Sequence, residues 1–306
     1  MKLGPISVAA LTPRRDAGYE ADLAATLELV DFLCAAGVNG IALMGSTGEF
    51  LHLGIEDRAH LVKLVVKRSR VPVIAGVTHS SLDGTVTLAD QAARAGAAAV
   101  LVMPPYFFPY QQPEIREFFL RVAGRVAGAL PIFLYNIPFF TSPMAPETSC
   151  DLLATGLFAG IKDSSGDFDQ FLKLKAQREK TPFTFLVGND VVFTRARTAG
   201  ADGGVSGVAS AIPELMLSLD SAIQAADAAR TDRLETRLQE FIAWLNRFPA
   251  PVGVREAAAA RGLKVGPLAV PLSPEKQRDL DEFRSWFGSW LPEMLKDCRP
   301  GLSTAS

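Results

Sequence analysis

The sequence predicts a (β/α)8 barrel, a parallel eight-stranded barrel of the TIM type, followed by additional C-terminal helices. Three observations predict it: eight short apolar runs, amphipathic segments between them, and a repeat of roughly 25 to 35 residues, the size of a βα unit. The length of 306 residues suits one such barrel. A doubly wound open sheet is the alternative, but the turn after the first strand, RRDAGYE, lacks the glycine pattern of that fold.

Each predicted strand is short, apolar and rich in β-branched residues, as expected of parallel strands that are buried on both faces. The strands in chain order are ISVAALTP, GIALMGS, PVIAGV, AAVLVMPP, PIFLYNIP, FAGIKDSS, FTFLVGND and GGVSGVAS. The segments between them have helical spacing. In IEDRAHLVKLVVKRS, for example, Leu61, Val62 and Val65 fall on one face, and Glu56 and Lys63 point away from it.

After Ser210 the pattern changes to helices alone, over three stretches. The first is IPELMLSLDSAIQAADAARTDRLETRLQEFIAWLNRF; the second, APVGVREAAAARGL, ends at Gly262; the third begins with Ser273 as N-cap and Pro274 in the first turn. We expect a barrel over 1–210, a helical region packed on it over 211–298 and a disordered tail over 299–306.

The composition excludes several classes of partner. With 31 basic and 33 acidic residues the net charge is −2, and no block of like charge occurs, so nucleic acid and membrane surfaces are poor partners. The N-terminus lacks a sustained apolar run, and no stretch of about 18 apolar residues is present. The three scattered cysteines are typical of a reducing compartment, and with the histidines they form no ligand motif. We expect a cytoplasmic protein without a metal site.

The stretch FAGIKDSS, residues 158–165, is a predicted buried strand that ends at Lys162. Burial disfavours the ammonium form of a lysine, and an unprotonated amine is nucleophilic near neutral pH. The alternative is a structural lysine whose stem lies along apolar surface while its amine reaches water. The local sequence favours the structural lysine. The choice between the two interpretations therefore depends on the residues at the other strand ends.

The carboxyl ends of the strands of such a barrel meet in one mouth, which makes their polar residues candidates as a group. They are Thr12, Gly45, Ser46, Thr47, Gly48, Glu49, Tyr106, Tyr135, Asn136, Lys162, Asn189, Asp190 and Ser206. The set resembles neither a metal site nor a Ser-His-Asp triad. It does supply what an imine between a lysine and a 2-oxo acid requires, namely a holder for the carboxylate and a proton relay.

The motif GSTGE, residues 45–49, is the candidate carboxylate holder. Its glycines let the backbone approach a ligand, and the N–H and hydroxyl groups of Ser46 and Thr47 can bind a carboxylate without a full positive charge. Tyr135 is the candidate relay. The alternative for the motif is a strand-to-helix turn without a ligand. The alternative for Tyr135 is a tyrosine of the core.

Three motifs, GSTGEF, YNIP and GIKDSSGD, follow predicted strands two, five and six. In this order the chain resembles, from about Ile6 to Val270, the dihydrodipicolinate synthase and N-acetylneuraminate lyase family of pyruvate-dependent class I aldolases. The resemblance implies a tetrameric (β/α)8 enzyme without a cofactor. It further implies roles at this site: Lys162 forms the Schiff base, Tyr135 shuttles protons, Ser46 and Thr47 hold the pyruvate carboxylate, and Val205 lines the pocket. We expect Ser46 to be catalytic as well, and Gly48 to bind substrate beside Thr47.

The sequence departs from the family at three positions. Synthases of the family carry an arginine for the second substrate where this chain has Phe140, and a phenyl ring cannot replace a bidentate guanidinium. The inter-subunit tyrosine of the family aligns with Phe107. Asp190 is kept, but Val191 stands where the sialic acid lyases have a glutamate.

These departures predict a second substrate that is less charged than aspartate semialdehyde and apolar, near Phe107, Phe108, Phe139 and Phe140. We therefore expect a Schiff-base lyase or aldolase acting on pyruvate or a related 2-oxo acid, with an unassigned second substrate. The alternatives are an authentic 4-hydroxy-tetrahydrodipicolinate synthase, which Phe140 disfavours, and an inactive pyruvate-binding barrel. A phosphate-handling isomerase using ADGGVSG is the weakest alternative.

Overall fold

The computed structural model describes residues 4–16, 20–126 and 128–299. Eight parallel strands close into a barrel in sequential order, which confirms the predicted (β/α)8 fold. The strands are β1 Ile6–Ala9, β2 Gly40–Leu43, β3 Val73–Gly76, β4 Ala99–Val102, β5 Ile132–Asn136, β6 Gly160–Asp163, β7 Thr184–Val187 and β8 Gly203–Ser206. Of these residues only Thr184 is not fully buried, because the barrel interior covers one face of each strand and the helices cover the other.

Seven helices follow the first seven strands around the barrel. They are α1 Leu23–Ala36, α2 Ile55–Arg68, α3 Leu82–Ala95, α4 Gln112–Val126, α5 Pro146–Ala154, α6 Phe168–Lys180 and α7 Phe193–Thr198. Local sequence explains several of their ends. Asp22 caps α1 by accepting a hydrogen bond from the amide of Ala25, and Gly37 ends this helix in the left-handed conformation.

The C-terminal region has one helix more than the sequence predicted. Its helices are α8 Pro213–Gln224, α9 Ala228–Leu245, α10 Val252–Ala260 and α11 Pro274–Cys298. The stretch expected as one helix is divided into α8 and α9, because Ala226 has a positive φ of 52° and Asp227 caps α9. Helix α8 packs between α7 and α1 and so completes the ring of helices around the barrel.

Helices α9, α10 and α11 form a layer outside that ring. The predicted start of α11 is confirmed, since the side chain of Ser273 accepts a hydrogen bond from the amide of Lys276 and Pro274 is the first helical residue. Most of the predicted disordered tail lies outside the described residues. No helix of the described part of the chain is long and apolar enough to cross a membrane.

Candidate active site

Lys162 lies at the bottom of a cavity of about 280 Å³ at the carboxyl ends of the strands. It is only 3% exposed and stands on β6 beside Tyr135 of β5, with which it is paired in the sheet register. Its Nζ lies 4.0 Å from the centroid of the Tyr135 ring. Among the described residues, Lys162 forms no ion pair with a carboxylate. The amine is thus buried and faces an aromatic ring, which a structural lysine with its head in water does not do.

A hydroxyl pair continues from this lysine towards the motif GSTGE. The side chain of Tyr135 is 2% exposed, and its hydroxyl lies 3.2 Å from Oγ of Ser46, with either group able to donate. Ser46 and Thr47 both line the cavity. The hydroxyls of Tyr135 on β5 and of Ser46 in the turn after β2 therefore form a pair through which a proton can move, beside the amine of Lys162.

Gly48 supports this motif from the side and does not line the cavity. Its carbonyl oxygen accepts a 2.7 Å hydrogen bond from the hydroxyl of Thr12. A Cβ atom at this position would lie 3.0 Å from the carbonyl oxygen of Ala10. Gly48 therefore lets the turn pack closely on the end of β1, and of the motif GSTGE only Ser46 and Thr47 line the cavity.

Asp190 is the acidic residue of the cavity wall, in the turn after β7. Its Oδ2 accepts a hydrogen bond of 3.1 Å from the amide of Val208. Burial raises the pKa of the Asp190 carboxyl, and the hydroxyl of Ser206, the amide of Val208 and the charge of Lys162 oppose that rise. The carboxylate therefore ties the turn after β8 to the turn after β7, beside Val205, which also lines the cavity.

Gly188 is a site residue that sequence reasoning missed. A Cβ atom at this position would lie 2.6 Å from Cε of Lys162 and 2.1 Å from Oγ of Ser164. Any side chain would therefore displace the lysine from the place where it meets Tyr135. The signal in the sequence was a glycine directly after predicted strand seven, at the mouth of the barrel.

Phe139 and Phe140, two of the phenylalanines expected near the second substrate, line different cavities. Phe139 lines the cavity above Lys162, whereas Phe140 lines a neighbouring cavity of about 170 Å³ with Tyr106. Ser46 and Ala250 line both cavities, so the two spaces meet there. Phe107 is 87% exposed and lies outside the linings of these two described cavities.

A second contribution that the sequence did not predict comes from the C-terminal layer. The end of α9, the connection to α10 and the start of α10 form one wall of the cavity; the residues are Ile242, Leu245, Asn246, Phe248, Pro249, Ala250, Pro251, Gly253 and Val254. The chain FPAPVG between the two helices was the available signal, since proline-rich turns end helices at defined places. The C-terminal helices thus take part in the site.

A buried arginine joins this layer to the barrel. Arg255 of α10 is 1% exposed; its Nη1 lies 2.8 Å from Oε2 of Glu49 and donates to the carbonyl oxygen of Thr12 at 3.1 Å. Its Nη2 donates to the carbonyl oxygen of Val265. Burial lowers the pKa of Arg255, and Glu49 opposes this change. The arginine fixes the end of GSTGE against the C-terminal segment.

The residues that the structure describes contain no group of three histidine, cysteine or acidic side chains arranged to hold a metal ion. The chemistry that the cavity can perform is instead that of an amine beside two hydroxyls.

Comparison with known proteins agrees with this chemistry. The model of the dihydrodipicolinate synthetase family matches residues 2–287. The chain belongs to this family. An uncharacterised DapA-like lyase of Halobacterium salinarum is 35% identical over 84% of this chain and 84% of its own. A 4-hydroxy-tetrahydrodipicolinate synthase of Azoarcus sp. is 31% identical over 87% of this chain and 91% of its own.

A solved structure with the same fold is a prophage protein of E. coli K12 from the dihydrodipicolinic acid synthase family, in complex with pyruvate. It superposes with a TM-score of 0.86 at 26% identity, over 94% of this chain and 98% of its own. The protein is thus a lyase of the class I aldolase type, the class in which a lysine of the enzyme forms a Schiff base with the substrate.

Proposed function

We propose that the protein condenses pyruvate or a closely related 2-oxo acid with Lys162 and then makes or breaks a carbon–carbon bond beside the imine, or removes water there. The observation that carries the proposal is the buried Lys162 amine, 4.0 Å from the Tyr135 ring and without a carboxylate partner among the described residues. The pyruvate complex of the related prophage protein supports a 2-oxo acid as the ligand.

The reaction begins with attack of the Lys162 amine on the carbonyl carbon of the 2-oxo acid. Loss of water gives an imine, and the protonated imine draws electrons from the neighbouring carbon. The Tyr135 hydroxyl, in contact with Ser46, carries the protons that these steps release and require. The substrate carboxylate binds to the hydroxyl and amide groups of Ser46 and Thr47, where it needs no cationic partner.

The first test is trapping of the imine. Incubation with pyruvate and borohydride should add a reduced pyruvate adduct to the peptide that contains Lys162, and mass spectrometry detects it. Lys162→Met should abolish the adduct, while Lys180→Met, at an exposed lysine of α6, should retain it. An unchanged mass of the Lys162 peptide would refute the mechanism.

Exchange of the pyruvate methyl protons into deuterated water tests turnover, because exchange requires the enamine. Tyr135→Phe should slow this exchange by about 10² to 10⁴-fold while the adduct still forms. An imine without exchange in the native protein would instead favour the inactive pyruvate-binding barrel. Efficient condensation of aspartate semialdehyde would favour the authentic synthase, against the expectation from Phe140.

We also propose a homotetramer located in the cytoplasm. The tetramer follows the family resemblance, and five large exposed apolar side chains at the mouth of the barrel support an assembly. The free thiols of Cys34, Cys150 and Cys298 support a reducing compartment. Cell fractionation that finds the protein in an oxidising compartment would contradict the location.

A further inference from the structure

The cavity above Lys162 carries very few charges. The described residues that line it include one cation, Lys162, and one acid, Asp190, with no arginine and no second lysine. Asp190 already accepts a hydrogen bond from the amide of Val208, which holds it against the turn after β8. Lys162 is therefore the one cationic side chain of this lining that can interact with Asp190 or with an anionic substrate.

Two buried arginines near the motif GSTGE are committed elsewhere. Arg255 is paired with Glu49 and with backbone carbonyls, and it is 1% exposed. Arg58 is 2% exposed, donates to the carbonyl oxygen of Gly76 at 3.0 Å and lies over the Phe50 ring. Neither side chain lines the cavity, and burial holds both in place.

The only cationic side chain of the described lining, Lys162, becomes the imine when the 2-oxo acid binds. A carboxylate on the second substrate would then lie in a cavity wall that holds Asp190 and apolar side chains but no arginine. Placing a charge there without a partner is unfavourable, so the lining disfavours an anionic second substrate.

Six apolar side chains belong to the cavity lining, beside the polar residues Ser164, Asn189 and Asn246. They come from three separate segments and consist of Ile137, Phe139, Val191, Ile242, Leu245 and Phe248. Ile242 and Phe248 are buried, at 6% and 7% exposure, whereas Val191 and Phe139 are 48% and 69% exposed and form the rim. The volume of about 280 Å³ fits a three-carbon acid and one small apolar group.

Resting on the imine chemistry proposed above, we propose that the second substrate is an uncharged aldehyde with a short apolar substituent. The substituent lies between Phe139, Val191 and the 242–248 segment. The enamine carbon of the 2-oxo acid attacks the aldehyde carbon and forms the new carbon–carbon bond, and the aldehyde oxygen takes up a proton. Water then hydrolyses the imine, which releases a 4-hydroxy-2-oxo acid and the free amine of Lys162.

A matched pair of aldehydes tests this assignment. 4-Methylpentanal has an isopropyl group where 4-oxobutanoate has its carboxylate. The two aldehydes therefore have similar size and shape and differ mainly in charge. With pyruvate as co-substrate, kcat/KM for 4-methylpentanal should exceed that for 4-oxobutanoate by more than about 100-fold. Glyceraldehyde, which is uncharged but polar, should also react less efficiently than 4-methylpentanal, because its hydroxyls would lie against Phe139, Val191 and Ile242, which offer them no hydrogen bond.

The variant Val191→Arg places a cation at the exposed rim of the apolar wall. It should shift the preference at least about tenfold towards 4-oxobutanoate, because the guanidinium pairs with the carboxylate. The matched control is Leu157→Arg, at a residue that is 52% exposed and lies outside the cavity lining. This control should leave the preference unchanged.

Borohydride trapping with pyruvate alone separates the two proposals. Without an adduct on Lys162, the proposed function itself fails. With an adduct, the assignment of the second substrate is overturned if 4-oxobutanoate or glyceraldehyde reacts as well as 4-methylpentanal, or if 4-methylpentanal does not react at all.

Discussion

The position of the Lys162 amine depends on the absence of a side chain at Gly188. The stem of the lysine passes over this glycine on the neighbouring strand end, at a separation that leaves no room for a methyl group. A buried side chain has few alternative rotamers. A methyl group added at position 188 therefore has to change the direction of the Lys162 side chain.

Gly188→Ala is therefore expected to impair imine formation more than folding. The new Cβ would lie 2.6 Å from Cε of Lys162, and the overpacking should lower the free energy of unfolding by about 1 to 3 kcal/mol. The amount of pyruvate adduct trapped by borohydride should fall at least about tenfold, since a small misplacement of a reacting group is costly. Denaturant unfolding and mass spectrometry measure the two effects.

Gly124→Ala serves as the control for this prediction. Gly124 lies in α4, and a Cβ atom there would meet nothing within 4 Å. The control should form the adduct normally and gain slight stability, because alanine is the better helix former. Equal adduct formation by Gly188→Ala and the control would contradict the role given to Gly188.

The residues that line the cavity from the ends of their own strands could be predicted from the sequence. Lys162, Tyr135 and Ser46 follow apolar runs, and the rule that strand ends share one mouth brings them together. This rule does not identify Gly188. A glycine is required there because the side chain of Lys162, on the neighbouring strand, occupies the space of a Cβ atom. For adjacent loop residues such as Phe139 and Phe140, no periodicity decides which one faces the cavity.

At the scale of elements, the turns after β1 and β2 are joined to the C-terminal layer by Arg255. Its partners, Thr12 and Glu49, lie 243 and 206 residues away in sequence. Sequence patterns report local structure, so α10 could be predicted as a helix but its contact with GSTGE could not. The same limit explains why the wall formed by the α9–α10 connection was missed.

Arg255→Met is expected to lower the free energy of unfolding by about 3 to 5 kcal/mol. The substitution leaves Glu49 without its guanidinium partner and the buried carbonyl group of Thr12 without its donor. The carbonyl group of Val265 loses one of two donors and keeps the amide of Arg14. It should also raise KM for pyruvate, since the GSTGE turn loses its support. Denaturant unfolding and steady-state kinetics measure these two effects.

The control for this prediction is Arg284→Met on α11. Arg284 also pairs with acids, Glu256 and Asp281, but its side chain is 47% exposed. Exposed ion pairs contribute little, so the control should change the stability by less than about 1 kcal/mol. A similarly small change in Arg255→Met would show that the arginine does not hold the two layers together.

At the scale of the whole molecule, large apolar side chains are exposed at one end of the barrel. Leu51, Phe107, Phe108, Phe139 and Phe140 all follow the carboxyl ends of β2, β4 or β5 and are more than half exposed. Phe107 also has a φ of 81°, a conformation that costs a residue with a side chain about 1 to 2 kcal/mol. Such a combination is typical of surfaces that contact another protein.

Phe107→Asp is therefore expected to weaken the assembly of the protein without unfolding its chain. Light scattering coupled to size exclusion should give four times the mass of one chain for the native protein and a smaller species for the variant. Leu157→Asp, at the other end of the barrel, should retain the native mass. A native protein that elutes as a monomer, or a variant that keeps the native mass, would contradict the assembly through this surface. The side chain of Phe107 is 87% exposed in the single chain, so its replacement should not unfold that chain. A thermal unfolding transition of the dissociated variant would show that it is still folded.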